Sequence, residues 1–139
     1  MYKTILVPTD GSEPAARAVE QGLELAAQND STLHTMFVVD TRRYGDPALS
    51  SIELIMTQME DIGTELIADV ERQATDSGLS VVTRVCHGVP HEEIVDYAAE
   101  IDADLIVLGS HGRTGSNRIP IGSVAERVVR SADRPVLTT

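Results

Sequence analysis

Apolar positions along this chain alternate between two patterns. Some form short unbroken runs bounded by turn residues, which read as strands covered on both faces. Others recur three and four apart, which reads as helices packed along one side. Tyr2 to Pro8 is the first run, with Ile5, Leu6 and Val7 consecutive. The turn Thr9-Asp10-Gly11 follows; Ser12 suits an N-cap and Pro14 a first helical turn. Ala15, Ala18, Val19, Gly22, Leu23 and Ala26 then carry helical spacing to about Asn29. Thr32 to Val39 predicts a second strand, and the segment from Asp40 to Ser50, with Gly45 and Pro47, has no periodicity and predicts a loop.

The alternation continues in the second half. From Ser51 to Asp76, Ile52, Ile55, Met59, Ile62, Leu66 and Val70 predict one buried stripe of a long helix, with Met56 and Met59 as core filler and Gly78 as its C-cap. Strand three is expected over Ser80 to Cys86, helix three over His91 to Glu100 with Ile94, Tyr97 and Ala98 inward, and strand four over Leu105 to Leu108. Ser123 to about Ser131 forms a fourth helix, with Val124 and Val128 four apart, and Pro135 to Thr138 a fifth strand. The order β-α-β-α-β-α-β-α-β predicts one α/β domain over residues 1–139, a five-stranded parallel sheet with helices on both faces. In such sheets ligands bind at the carboxyl ends of the strands, where the strand order reverses. Asp10, Val38, Val39 and Gly109 fall at such ends.

The link from strand four to helix four is the most informative stretch. Strand-to-helix links usually run about 2–6 residues, whereas this one spans Ser110 to Gly122 and holds three glycines with Arg113 and Arg118. The first N–H groups of a helix lack intrahelical partners and carry partial positive charge. Glycines before them let an anion touch backbone, so phosphate is the natural guest, with Ser123 as the expected N-cap. An ordinary long connection is the alternative. No lysine follows the last glycine, so the pattern is not a P-loop, and the turn after strand one lacks the glycine spacing of a dinucleotide fold. A phospho-acceptor receiver domain needs a late lysine, and Lys3 is the only lysine in the chain.

Composition narrows the partners. The net charge is −11 and the isoelectric point about 4.6, so no basic face for nucleic acid or anionic membrane is expected. Aromatic residues make up 3%, without tryptophan, which leaves few stacking platforms. Lone Cys86 forms no intrachain disulfide. The amino terminus enters a strand at once and no run reaches the ~18 apolar residues of a membrane span, so a cytoplasmic location is expected. Four histidines, His34, His87, His91 and His111, show no metal-ligand spacing. Asp10 suits either a ribose contact or an Asx turn; Asp102 and Asp104 read as solvated loop charges.

Taken together, these features resemble the universal stress protein family over nearly the whole chain. The carrier is the spacing G-x2-G-x9-G-[ST], here Gly109, Gly112, Gly122 and Ser123. ILVPTDGS at the start, FVVD at the end of strand two, the Gly88-to-Pro90 turn and RPVL near the end add to it. The resemblance implies a Rossmann-like, adenine nucleotide alpha hydrolase-like sandwich of the ATP-binding branch, taking ATP with or without magnesium. It implies that Pro8, Thr9 and Asp10 line an adenosine site, that Val38 meets adenine, and that Leu108 and Gly109 border the ribose. His111, Gly112, Arg113, Gly122, Ser123 and Val124 would surround the phosphates. It also implies a homodimer through the last strand and a nucleotide-dependent regulator of the stress response. A slow ATPase or phosphotransferase, or an interaction protein with a vestigial motif, are the competing functions. No dedicated base for water is evident and no catalytic residue is assigned.

Overall fold

The sheet grows outward from the most apolar strand. In the computed structural model, which describes residues 1–43, 51–110 and 122–139, β1 (Thr4–Pro8) is central, with Ile5, Leu6 and Val7 fully buried. β2 (Thr32–Asp40) pairs along one side of it and β4 (Leu105–Leu108) along the other; β3 (Ser80–Gly88) and β5 (Val136–Thr138) form the edges. The order is β3-β2-β1-β4-β5 and every pairing is parallel. The strand order reverses between β1 and β4, so the crevice favoured by open α/β sheets falls there.

Four helices cover the two faces. α1 (Glu13–Asn29) and α2 (Ser51–Asp76) pack on one, where Val7, Ala18, Ala26, Leu33, Val70 and Ala74 meet. α3 (Pro90–Glu100) and α4 (Ser123–Ser131) pack on the other, over Leu6, Met36, Ile94, Ile106 and Val128. Ser12 caps α1: its Oγ accepts the Ala15 N–H at 3.3 Å, with Pro14 in the first turn. Gly78 closes α2 in the left-handed region at φ 76°, donating its N–H to Thr75, a conformation that glycine adopts without steric cost.

Three expectations need correction. The buried stripe of α2 is only in part the one the spacing suggested: Val70 is buried and Met59 and Leu66 pack on the cluster around Phe37. Gly63, Ile67, Val70 and Ala74 face the sheet, while Ile55 and Ile62 are 37% and 48% exposed. Gly63 explains the rotation: a Cβ there would stand 2.3 Å from the Phe37 ring, so the helix presses its glycine against the aromatic ring. Asp104 is no solvated loop charge, since its Oδ2 accepts the N–H groups of Lys3 and Thr4 at 2.8 and 2.9 Å and pins the start of β1. Part of the expected loop after β2 is a short 3-10 turn, Thr41–Arg43, and residues 44–50 of that loop lie outside the described residues. Among the described residues no helix is long and apolar enough to cross a membrane.

Candidate functional site

The strands end unevenly, and a cleft lies on the step. Pro8 ends β1 opposite Met36, but β2 runs on through Phe37, Val38, Val39 and Asp40 beside β3. That overhang forms one wall. The opposite wall is built where β4 passes into Gly109 and Ser110 and where α4 begins at Gly122. Between them opens a cleft of about 570 Å³, within the roughly 300–1,000 Å³ typical of small-molecule sites.

Each expected residue that the structure describes lines this cleft. Pro8, Thr9 and Asp10 come from the end of β1, and Val38 from the overhang. Leu108 and Gly109 come from the end of β4, and Gly122, Ser123 and Val124 from the start of α4. His111, Gly112 and Arg113 lie outside the described residues.

The local causes differ from one position to the next. Thr9 is held by its N–H, which donates to Met36 O at 2.9 Å, and its Oγ1 accepts from Gly11. Asp10 makes an Asx turn, accepting the Ser12 N–H at 2.9 Å, so one carboxylate oxygen has a backbone task at the cleft mouth. Gly109 is required by close packing: a Cβ would lie 2.5 Å from the Pro14 carbonyl carbon and 2.7 Å from the Ala15 nitrogen. The end of β4 therefore lies against the first turn of α1, backbone to backbone. Gly122 donates its N–H to the Ser110 carbonyl. Ser110 in turn is tied to β5, with its N–H and Oγ both donating to the Thr139 carbonyl, at 3.1 and 2.5 Å.

Ser123 is not the N-cap. Gly122 occupies that position and supplies no side-chain cap, so Ser123 is the first helical residue and its side chain is exposed. The first helical bond is Glu126 N–H to Gly122 O. The amides of Ser123, Val124 and Ala125 thus open α4 without a side-chain cap, where the helix dipole favours an anion. α1 differs, because Ser12 occupies one of its early amides.

Several lining residues carry no motif. Met59, expected as core filler, reaches both the core around Phe37 and the cleft. Pro90 and Ile94 of α3 line the cleft as well. So do Asp40 and Arg42, which form a fork: Arg42 Nε donates to Asp40 Oδ1 at 3.1 Å and Nη2 to Oδ2 at 3.0 Å. The backbone N–H of Arg42 also donates to Oδ1, at 3.0 Å. These hydrogen bonds raise the guanidinium above its already high ordinary pKa, so Arg42 is a permanent cation.

Comparison with known proteins agrees with this geometry. The sequence profile described as universal stress protein family matches residues 1–139. A universal stress protein of Methanocaldococcus jannaschii is 41% identical over 138 residues, covering 99% of this chain and 81% of that relative. A solved structure from the universal stress protein family of Burkholderia pseudomallei is 32% identical, with a TM-score of 0.82, covering 99% of this chain and 96% of the other. A universal stress protein solved in complex with cAMP is 26% identical, with a TM-score of 0.70, over 99% of this chain and 96% of that one.

Proposed function

The chain belongs to the universal stress protein family, and from that premise we propose that it is an adenine-nucleotide-binding regulator of the stress response, with ATP as its ligand. The observation that carries the reading is the opposition of two unlike walls across one cleft. The overhang of β2 presents apolar Val38 in the same cluster as Ile94, and Met59 lines the cleft from α2, apolar surface suited to a base. The other wall presents the glycine backbone and the start of α4, suited to phosphate. The cAMP complex of a relative is consistent with an adenine ligand.

In this reading Pro8, Thr9 and Asp10 hold the adenosine, and Leu108 and Gly109 border the ribose. Gly122, Ser123 and Val124 receive phosphate oxygens through the opening amides of α4. His111, Gly112 and Arg113 are assigned to the phosphates from the motif alone. The same reading includes a homodimer paired through β5, whose outer edge is a row of backbone groups open to a second strand.

Titration calorimetry of the full chain with ATP, ADP, AMP, adenosine and GTP, with and without magnesium, tests the ligand. ATP binding at micromolar to low-millimolar concentration, with adenosine weaker and GTP weaker still, is the expected result. Absence of heat with every adenine compound would refute the nucleotide reading.

A further inference from the structure

We infer that Arg42 is a base-covering specificity residue: its guanidinium plane, held on Asp40, closes over a purine seated against Val38. This rests on the adenine-nucleotide reading of the cleft and deepens it. Three observations carry it.

The first is location. Arg42 lines the cleft from the 3-10 turn that directly follows the overhang of β2. β2 and β4 flank β1 on opposite sides. Two strand spacings, roughly 10 Å, therefore separate the Arg42 side from the strand that leads to α4. That is about the length of a mononucleotide from base to phosphate, so Arg42 belongs to the base end.

The second is rigidity. Asp40 is a paired strand residue, opposite Gly88, and its side chain is only 13% exposed. A carboxylate so placed is a firm anchor, and the fork fixes the orientation of the planar guanidinium. The fork uses Nε and Nη2, on one edge of the plane, and leaves the face of the plane outside it.

The third is that the described lining offers no exposed aromatic face. A purine is often stacked on an aromatic ring; this chain has no tryptophan, one phenylalanine and three tyrosines, of which Tyr2 and Tyr97 do not line the cleft and Tyr44 lies outside the described residues. Among the described residues the aromatic side chain of the lining is Phe37, which is 4% exposed and packs in the core with Val39 and Ile67. The described lining offers Val38 and Ile94, which share one core cluster, for one side of a base. The Arg42 guanidinium, at the same cleft, is a flat, weakly hydrated group able to stack on the other.

Covering the base differs from gripping a phosphate, and the two are separable. Arg42→Ala and Arg42→Lys are titrated with ATP and with adenosine, beside the unaltered chain. Loss of the plane should weaken both ligands by the same factor, on the order of five- to tenfold, and lysine should not restore it. Circular dichroism of both variants should match the unaltered protein, because the side chain is 45% exposed. A loss confined to ATP would make Arg42 a phosphate contact and overturn the inference, as would full rescue by lysine or unchanged binding in Arg42→Ala. If the unaltered chain binds no adenine compound, the nucleotide reading itself fails and this inference with it. If it binds and Arg42→Ala binds equally, only the inference fails.

Discussion

Single residues here often carry a structural duty where the sequence suggested a ligand duty, or the reverse. Gly109 opens the glycine motif for which the sequence suggested phosphate, yet the contact that forbids a side chain is the backbone of α1. Ser123 looked like a cap and is not one. Ser123→Ala should therefore leave the thermal midpoint essentially unchanged, since the side chain is exposed and caps nothing. Any weakening of ATP, of about 0.5–1.5 kcal/mol for one hydrogen bond, would then report a ligand contact. Melting curves and calorimetry on the same preparation separate the two. A second residue, His34, should contribute a pH limb to stability. Its Nδ1 lies 3.1 Å from the Tyr97 hydroxyl, and burial holds its pKa below the ordinary value of 6.5. The Arg84 guanidinium sits 4.6 Å from the centre of the Tyr97 ring. The unfolded chain accepts a proton at His34 that the folded chain resists, so stability is complete above about pH 6.5 and falls on acidification. Urea midpoints compared between pH 7.5 and 5.5 should drop more for the unaltered protein than for His34→Gln. Equal drops would show that His34 does not control this limb.

Elements were more legible than the faces they present. Every strand and every long helix was readable from periodicity, because apolar runs and three-four spacing report burial directly. The orientation of α2 was not. A glycine carries no hydrophobic signal, yet Gly63 sets the rotation of the helix by admitting the Phe37 ring. Ile62 and Ile67 are the same residue type five positions apart, and they test the corrected face. Ile67→Ala should cost about 2–5 kcal/mol, as for a buried aliphatic side chain, and Ile62→Ala far less. Equilibrium denaturation in urea checks both, and equal losses would contradict the observed face. Asp40 and Arg42 were hidden for another reason: a fork between residues i and i+2 has no periodic signature, and it becomes visible only once the overhang of β2 is known.

The whole molecule carries its charge unevenly by type. Its net charge is −11, and ten of its eleven lysines and arginines are arginine. Many of the described ion pairs are exposed, such as Arg72–Asp69 and Arg130–Glu126, where each pair contributes little. Mutual repulsion among the remaining acids should therefore oppose the compact state. Screening shortens from about 10 Å at ~0.1 M salt to about 3 Å at ~1 M, so the thermal midpoint should climb over that range in sodium chloride. A flat or falling midpoint by scanning calorimetry would remove repulsion as a controlling factor. The sequence specified this charge directly, and the topology nearly so. It did not specify the unequal strand lengths from which the cleft is built, because register between strands is a property of pairing and not of one strand.

The bonds that join Ser110 to Thr139 give the cleft a mechanical neighbour. Thr139 donates its N–H to Leu108 O, Ser110 donates twice to Thr139 O, and Gly122 donates to Ser110 O. This relay runs from the outermost strand to the residue that precedes the opening amides of α4. If a second copy pairs along β5, the relay makes pairing and ligand occupancy linked equilibria. By reciprocity, the factor by which the ligand shifts self-association must equal the factor by which self-association shifts ligand affinity. Removing residues 136–139 to break the pairing would also take away the acceptor that steadies Ser110. A truncation of the edge strand would thus register as a change in dissociation constant for the nucleotide, even in a solution too dilute to hold any dimer.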